Sequence, residues 1–246
     1  MNNCCGNEEE NIIIDTKFDV RSDSNGRDPD KYSDTLKSYH KKLWSKWLQN
    51  WNIFDLNDNE KNIYLYHKSN FWEYFLSSDS ITHTYSQWKR MKNIIDSIPD
   101  KEIDYFLELA CTVWWYIIFP SNRINNLSTI NQERGCNKKI CDRFDLTLEC
   151  IRLYYNDEES PLKVTLQRYE NFFNLFNDFK WYCEYFLLQD LVSDDYSKVN
   201  FFIPFNWFES TPTPKSDEQY YKYMKNNINF IINRNKRIKK YDNKIN

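Results

Sequence analysis

Glycine is nearly missing from this chain. Only Gly6, Gly26 and Gly135 occur in 246 residues, where an average usage of about 7% predicts roughly 17. A chain so poor in glycine must put ordinary side chains wherever a turn demands φ > 0. Histidine is as scarce. His40, His67 and His83 include no pair four residues apart, the spacing by which one helix face offers two imidazoles to a metal. The seven cysteines (Cys4, Cys5, Cys111, Cys136, Cys141, Cys150, Cys183) are odd in number and contain no C-x-x-C. That argues against a disulfide framework and a structural zinc site, so no metal is expected. The sequences G-x-x-x-x-G-K-[ST], G-x-G-x-x-G, G-x-S-x-G and H-E-x-x-H are absent too. Standard nucleotide and hydrolase scaffolds are therefore unsupported, and the cofactor is unknown.

Neither sign of charge dominates: 33 Lys and Arg stand against 36 Asp and Glu, a formal net of −3. Binding nucleic acid by bulk electrostatics is not favoured. No apolar run approaches the roughly 18 residues of a membrane-spanning helix, since Glu108 breaks even the stretch from Tyr105 to Phe119. No membrane partner is expected. Met1 to Asp15 carries Glu8, Glu9 and Glu10 without a basic n-region, so no secretory leader is read and the expected location is cytoplasmic.

Tryptophan, by contrast, occurs nine times. Asn50-Trp51-Asn52 precedes the strand-like Ile53-Phe54-Asp55-Leu56, where an Asn-Gly hairpin turn would sit. The tandem Trp114-Trp115 and Asn206-Trp207 look equally misplaced. Two readings stand open. Some of these codons mean glycine in the source organism, a known stop-codon reassignment, or the protein is Trp-rich and comes from an AT-rich genome.

The length suits one domain: a disordered N-terminus at 1–11, a globular body at 12–238 and a basic tail at 239–246. The turn formers of Arg21-Ser-Asp-Ser-Asn-Gly-Arg-Asp-Pro-Asp30 invite a calcium-loop reading. It fails because Arg21 and Tyr32 stand where the first Asp and the bidentate Glu belong. A helix is expected at Tyr32–Trp44, then strands at Ile53–Leu56, Ile63–Tyr66 and Glu73–Leu76. Ser77-Ser-Asp-Ser80 offers N-cap chemistry to a helix reaching Ile98. Further helices are expected at Lys101–Trp115, Lys138–Tyr155, Leu162–Phe176, Trp181–Val192 and from Ser216 to about Ile238. Tyr116–Phe119 reads as a short buried strand or helix end. The expected fold is α+β and mostly helical, a small N-terminal antiparallel sheet packed on a helical bundle.

The richest chemistry lies in the helix expected at Lys138–Tyr155. At 100° per residue, Asp142, Asp145, Glu149 and Arg152 share one narrow wedge on an otherwise apolar rod. Buried carboxylates need partners, and Arg123 and Arg134 lie on the connection leading in. One reading is a pocket in which Asp142, Asp145 and Glu149 do acid–base work while Arg123, Arg134, Arg152 and Asn122 hold a phosphorylated or other anionic ligand. The other is a closed Arg–carboxylate network that only fastens loop to helix.

The segments Arg21–Asp30, Leu76-Ser-Ser-Asp-Ser-Ile81, Tyr116-Ile-Ile-Phe-Pro120 with Asn122-Arg-Ile124, and Asp142-Arg-Phe-Asp-Leu-Thr-Leu-Glu-Cys-Ile-Arg152 resemble a family of uncharacterised bacterial and phage proteins. The likeness covers most of the chain, and the last segment is its most specific part. The resemblance implies glycine near positions 51, 115 and 181, where this chain has Trp. It implies membership, not mechanism. The leading expectation is a cytosolic enzyme-like domain with an Arg and acid pocket, in phage and host conflict. The alternative is a non-catalytic protein-interaction module with a structural Arg–carboxylate network.

Overall fold

The computed structural model describes residues 13–15, 17–49, 51–59, 62–69 and 72–245. The tail expected at 1–11 therefore lies outside the described residues. Two short helices, α1 (Arg21–Ser24) and α2 (Pro29–Tyr32), lead into α3 (Asp34–Trp44). Ser33 caps α3 by accepting the Leu36 N–H at 3.0 Å. Its buried residues Leu36, Tyr39, His40, Leu43 and Trp44 recur at helical spacing. The hairpin of β1 (Lys46–Trp47) and β2 (Ile53–Phe54) follows.

The main sheet holds β3 (Asn57–Asn59), β4 (Asn62–Lys68), β5 (Glu73–Ser80) and, after a long excursion, β6 (Tyr116–Pro120). All are antiparallel in the order 3-4-5-6. The Ser77–Ser80 run is thus not a helix cap. It is the end of β5, paired from Ser77↔Phe119 to Ser80↔Tyr116. The helix expected up to Ile98 shrinks to α4 (Lys92–Ile95), behind a 3₁₀ turn at Lys89–Met91. Tyr85, at φ +58°, interrupts any helix there. In the excursion, α5 (Asp100–Leu109) also stops short of Trp115.

After β6 come α6 (Ile130–Cys136), α7 (Phe144–Tyr155), α8 (Lys163–Arg168), α9 (Glu170–Phe173), α10 (Phe179–Tyr185) and the long α11 (Asp217–Ile245). The protein is α+β and mostly helical, with about half of the described residues in helices and 13% in strands. Helix α7 runs through the core, buried from Phe144 to Ile151 and again at Leu153. Rings of Trp44, Phe54, Phe172, Phe176, Tyr185 and Phe186 pack against one another, and Tyr154 and Tyr155 at the end of α7 meet Phe173 and Tyr182.

Helix α11 closes the fold. Arg234, read from sequence as part of a basic helix end, is fully buried and donates to the carbonyls of Tyr116 and Phe186, both at 3.1 Å. Asp242 accepts the Ile14 N–H at 3.1 Å and pairs with Lys42, tying both ends of the described chain together. No helix of the described residues is long and apolar enough to cross a membrane.

The tryptophans fall into different environments. Trp51 is 84% exposed at φ +62° in the β1–β2 turn, a conformation that costs a side chain-bearing residue roughly 1–2 kcal/mol. Trp115 is buried, and its indole N–H donates to the Thr82 carbonyl at 2.7 Å. The indole nitrogen of Trp181 is buried without a hydrogen-bond partner.

Candidate active site

Three of the motif segments converge on β5. Strand alternation sends Ser77 and Asp79 to one face and Ser78 and Ser80 to the other. Asp30, beyond the turn capped by Asp28, accepts the Ser78 N–H at 2.8 Å and the Ser78 hydroxyl. From α6, Asn131 donates to the Ser77 hydroxyl at 3.0 Å. Arg134, in the last turn of α6, is fully buried and reaches Asp79, the Ser80 carbonyl (3.2 Å from both Nη atoms) and Thr147 Oγ1 (3.2 Å). Its Nη1 also lies 3.3 Å from Asp142 Oδ1. A capping box between Thr129 and Gln132 sets the helix that presents it.

The second oxygen of Asp142 faces His83 Nε2 at 4.0 Å. His83 stacks on Tyr85 with ring centroids 4.7 Å apart, and its Nδ1 accepts the Tyr85 N–H at 2.9 Å. That acceptor role fixes the neutral tautomer and leaves the proton on Nε2, toward Asp142. The Tyr85 hydroxyl donates to the Cys141 carbonyl at 2.9 Å. Tyr85, Cys141 and Asp142 all have positive φ, of 58°, 47° and 62°. Strain of this kind persists only where surrounding structure enforces it, and it concentrates at functional sites.

The electrostatics follow from burial around one guanidinium. Asp79 titrates above its ordinary range, chiefly because it is buried and also because Asp142 is near; Arg134 opposes both. His83 titrates below its ordinary value through burial and the Arg134 charge, with Asp142 opposing. The imidazole is therefore held neutral. On the far side of β5, burial pushes Asp30 up to about 7, helped by Asp28 and Asp79.

A cavity of about 430 Å³ adjoins this centre. Trp88, which meets the His83 ring edge-on at 5.4 Å, lines it together with Cys141, Arg90, Lys138 and Lys139. Arg90 lies over the Trp88 ring at 4.4 Å, and Lys139 pairs with Glu209 at 2.7 Å.

The residues singled out from sequence are not brought to one place. Helix α7 begins at Phe144, so Asp142 sits in the turn before it, and of the three acids only Asp145 and Glu149 are helical. Asp145 is fully buried and paired bidentately with Arg143, and it also accepts the Phe202 N–H at 2.9 Å. Glu149 is paired bidentately with Arg152, both bonds at 2.8 Å. Asn122 is a structural pin: its Oδ1 accepts the Phe75 N–H and its carbonyl accepts the Tyr169 hydroxyl. Arg123 is exposed beside it. Within the set, Asp142 meets Arg134 and Glu149 meets Arg152, at two separate places.

The sequence alone does not single out Asp79, His83 or Arg143. Asp79 was hidden in a run that reads as capping chemistry. Arg143 stands two residues before Asp145, a spacing that joins side chains only because Arg143 lies at the helix start. Among the described residues no group of three or more His, Cys, Asp or Glu is placed to hold a metal.

The architecture and this polar centre define a mostly helical α+β protein with one four-stranded antiparallel sheet. The chain belongs to a family of unknown function, DUF6994, whose family model matches residues 14–238. No curated protein and no solved structure matches it.

Proposed function

We propose that the protein is a cytoplasmic enzyme that moves a proton on a small anionic substrate, most simply a phosphorylated one. The observation that carries this reading is the facing of His83 Nε2 and Asp142 Oδ2 across 4.0 Å, with Arg134 behind the carboxylate. A substrate oxygen lodged at that gap meets an N–H donor from the neutral imidazole, while the carboxylate accepts a proton from the same or an adjacent atom. Arg134, 3.3 Å from the other oxygen, orients Asp142. In the adjoining cavity, Arg90 and Lys138 supply the charge for a phosphate and Trp88 a face for a planar group. Asp145, Glu149, Arg123 and Arg152 have no part in this site.

The test is a thermal-shift screen of nucleotides, sugar phosphates and inorganic phosphate. A ligand that raises Tm is expected to lose its effect in Arg90→Glu and Lys138→Glu, and to keep it in Asp142→Asn, which abolishes turnover of that ligand. A screen with no stabilising anion, or a shift that survives both charge reversals, overturns the reading.

A second reading, the non-catalytic interaction module, draws support from the β1–β2 hairpin, where Trp47, Trp51 and Ile53 are exposed together at 64%, 84% and 45%. Exposed apolar clusters mark partner surfaces. Retention of a partner by wild type, lost in Trp47→Ser with the anion screen empty, would favour it.

A further inference from the structure

A second cavity, of about 680 Å³, lies between α5 and α11, and the proposed proton-transfer site does not use it. Tyr105, Glu108, Leu109 and Thr112 line it from α5 and the turn beyond. Ile232, Asn235, Lys236 and Lys239 line it from α11. Both sets follow the i, i+3, i+4, i+7 rule, so each element contributes one stripe and the cavity is a groove between them. Its floor is apolar at Tyr105, Leu109 and Ile232. Its rim is cationic. Lys17, Lys236 and Lys239 line it, and none has a carboxylate within salt-bridge distance among the described residues. Of the two rim acids, Asp19 is already held bidentately by Arg21, leaving Glu108 alone against three lysines. Asn235 Oδ1 is buried at the groove without a hydrogen-bond partner.

An apolar floor under an unneutralised basic rim, on a chain whose net charge is −3, calls for a ligand with a greasy body and an anionic head. Length decides its size. From Ile232 to Lys239 is seven residues, or about 10 Å at 1.5 Å per residue. That suits a medium-length chain or an aromatic group, and it is too short for the three or four turns of a docking helix. We propose that this groove binds a small anionic amphiphile, the head at Lys236, Lys239 and Lys17 and the apolar body along Leu109 and Ile232.

Isothermal titration with octyl phosphate, below its micelle concentration, tests this on the whole chain. Wild type is expected to bind one equivalent, while inorganic phosphate and octyltrimethylammonium do not bind at the groove. The double variant Lys236→Glu/Lys239→Glu should weaken binding at least about tenfold, equivalent to 1.4 kcal/mol. Lys222→Glu, an exposed lysine elsewhere on α11, should bind as wild type does. Arg90→Glu should also bind normally, which separates this groove from the proton-transfer site. Absence of saturable binding, equal binding of the cationic amphiphile, indifference to the double reversal, or displacement by an amphipathic helical peptide overturns the proposal.

Discussion

Replacing Asp145 by Ala should damage the fold rather than a reaction, and the size of the loss can be worked from the contacts. Arg143 and Asp145 are both within 1% of complete burial. Arg143 Nε donates to Asp145 Oδ1 at 3.0 Å, and its Nη2 to Oδ2, which also takes the Phe202 N–H at 2.9 Å. The guanidinium reaches on to the Pro212 carbonyl at 2.6 Å and the Ile203 carbonyl at 3.5 Å. The pair thus pins the segment around 202–212 to α7. Removing the carboxylate strands a buried cation, which costs about 3–5 kcal/mol, and it leaves the Phe202 N–H without its acceptor. Against a total stability of roughly 5–15 kcal/mol, Asp145→Ala should be barely folded. Removing both charges is different. In Arg143→Met/Asp145→Leu no ion is left behind, and the remaining cost is the unsatisfied Pro212 and Ile203 carbonyls and Phe202 N–H, about 1–3 kcal/mol each. The double variant should therefore lose less than the sum of the two single variants. Urea unfolding followed by far-UV circular dichroism gives all four corners of the cycle. Limited proteolysis of Asp145→Ala should cut first within 202–212. An Asp145→Ala protein that unfolds within about 1 kcal/mol of wild type, or single losses that simply add in the double, would refute the argument.

Two further outcomes follow from local geometry. Trp51→Gly should stabilise the protein by about 1 kcal/mol, because it relieves a left-handed residue that is almost wholly exposed; a lower unfolding midpoint would count against the turn. If the native chain carries glycine there, its intact mass falls below that of the sequence with nine tryptophans. Asp30 gives the pH dependence. Its folded value of about 7 lies above its ordinary value of 3.8, so between them the folded state holds the extra proton. Stability due to this group falls as pH rises from about 4 to about 7 and is flat above. Asp30→Asn keeps an acceptor for Ser78 and should remove this decline, gaining about 1–2 kcal/mol over wild type at pH 8 after solvent screening and little or nothing at pH 4. Parallel Tm–pH curves for the two proteins would exclude the assignment.

Where periodicity and capping are local, the sequence reveals the element. The helix expected at Tyr32–Trp44 is found as α3 from Asp34, and the strands expected at Ile63–Tyr66 and Glu73–Leu76 lie within β4 and β5. Ser77–Ser80 is not revealed in this way, because its strand character depends on partners far away in sequence. Asp30 reaches Ser78 from 48 residues off, and Arg134 reaches Asp79 from 55. A run of serine and aspartate looks like a cap until those partners are placed. Asp142 reads as helical for a similar reason. Its 100° position matches the wedge, and nothing in the neighbouring residues discloses that the chain turns left-handed at Cys141 and Asp142. The sequence sets Asp145 and Glu149 as carboxylates on an apolar rod, and in the structure each is paired with an arginine. Their cations, Arg143 and Arg152, come from the residue just before the rod and from the rod itself, and not from Arg123 or Arg134.

The shortage of glycine bears on whether the strain at Tyr85, Cys141 and Asp142 is functional or incidental. A chain with few glycines will put other residues at φ > 0 wherever a turn requires it, and Asn25, Asn125, Asn126 and Asn177 do so in the cheapest way available. Trp51 belongs with these turns: its ring is exposed, so glycine could replace it without loss. The three residues near His83 are of another kind. Tyr85 supplies the ring under His83 and the N–H that fixes its tautomer, Cys141 supplies the carbonyl that anchors Tyr85, and Asp142 supplies the carboxylate opposite Nε2. Glycine at 85 or 142 would ease the backbone and delete the very group the turn presents. Strain that cannot be relieved without removing the contact is strain held by the contact, which is why this cluster, and not the other left-handed turns, is the place to look for chemistry.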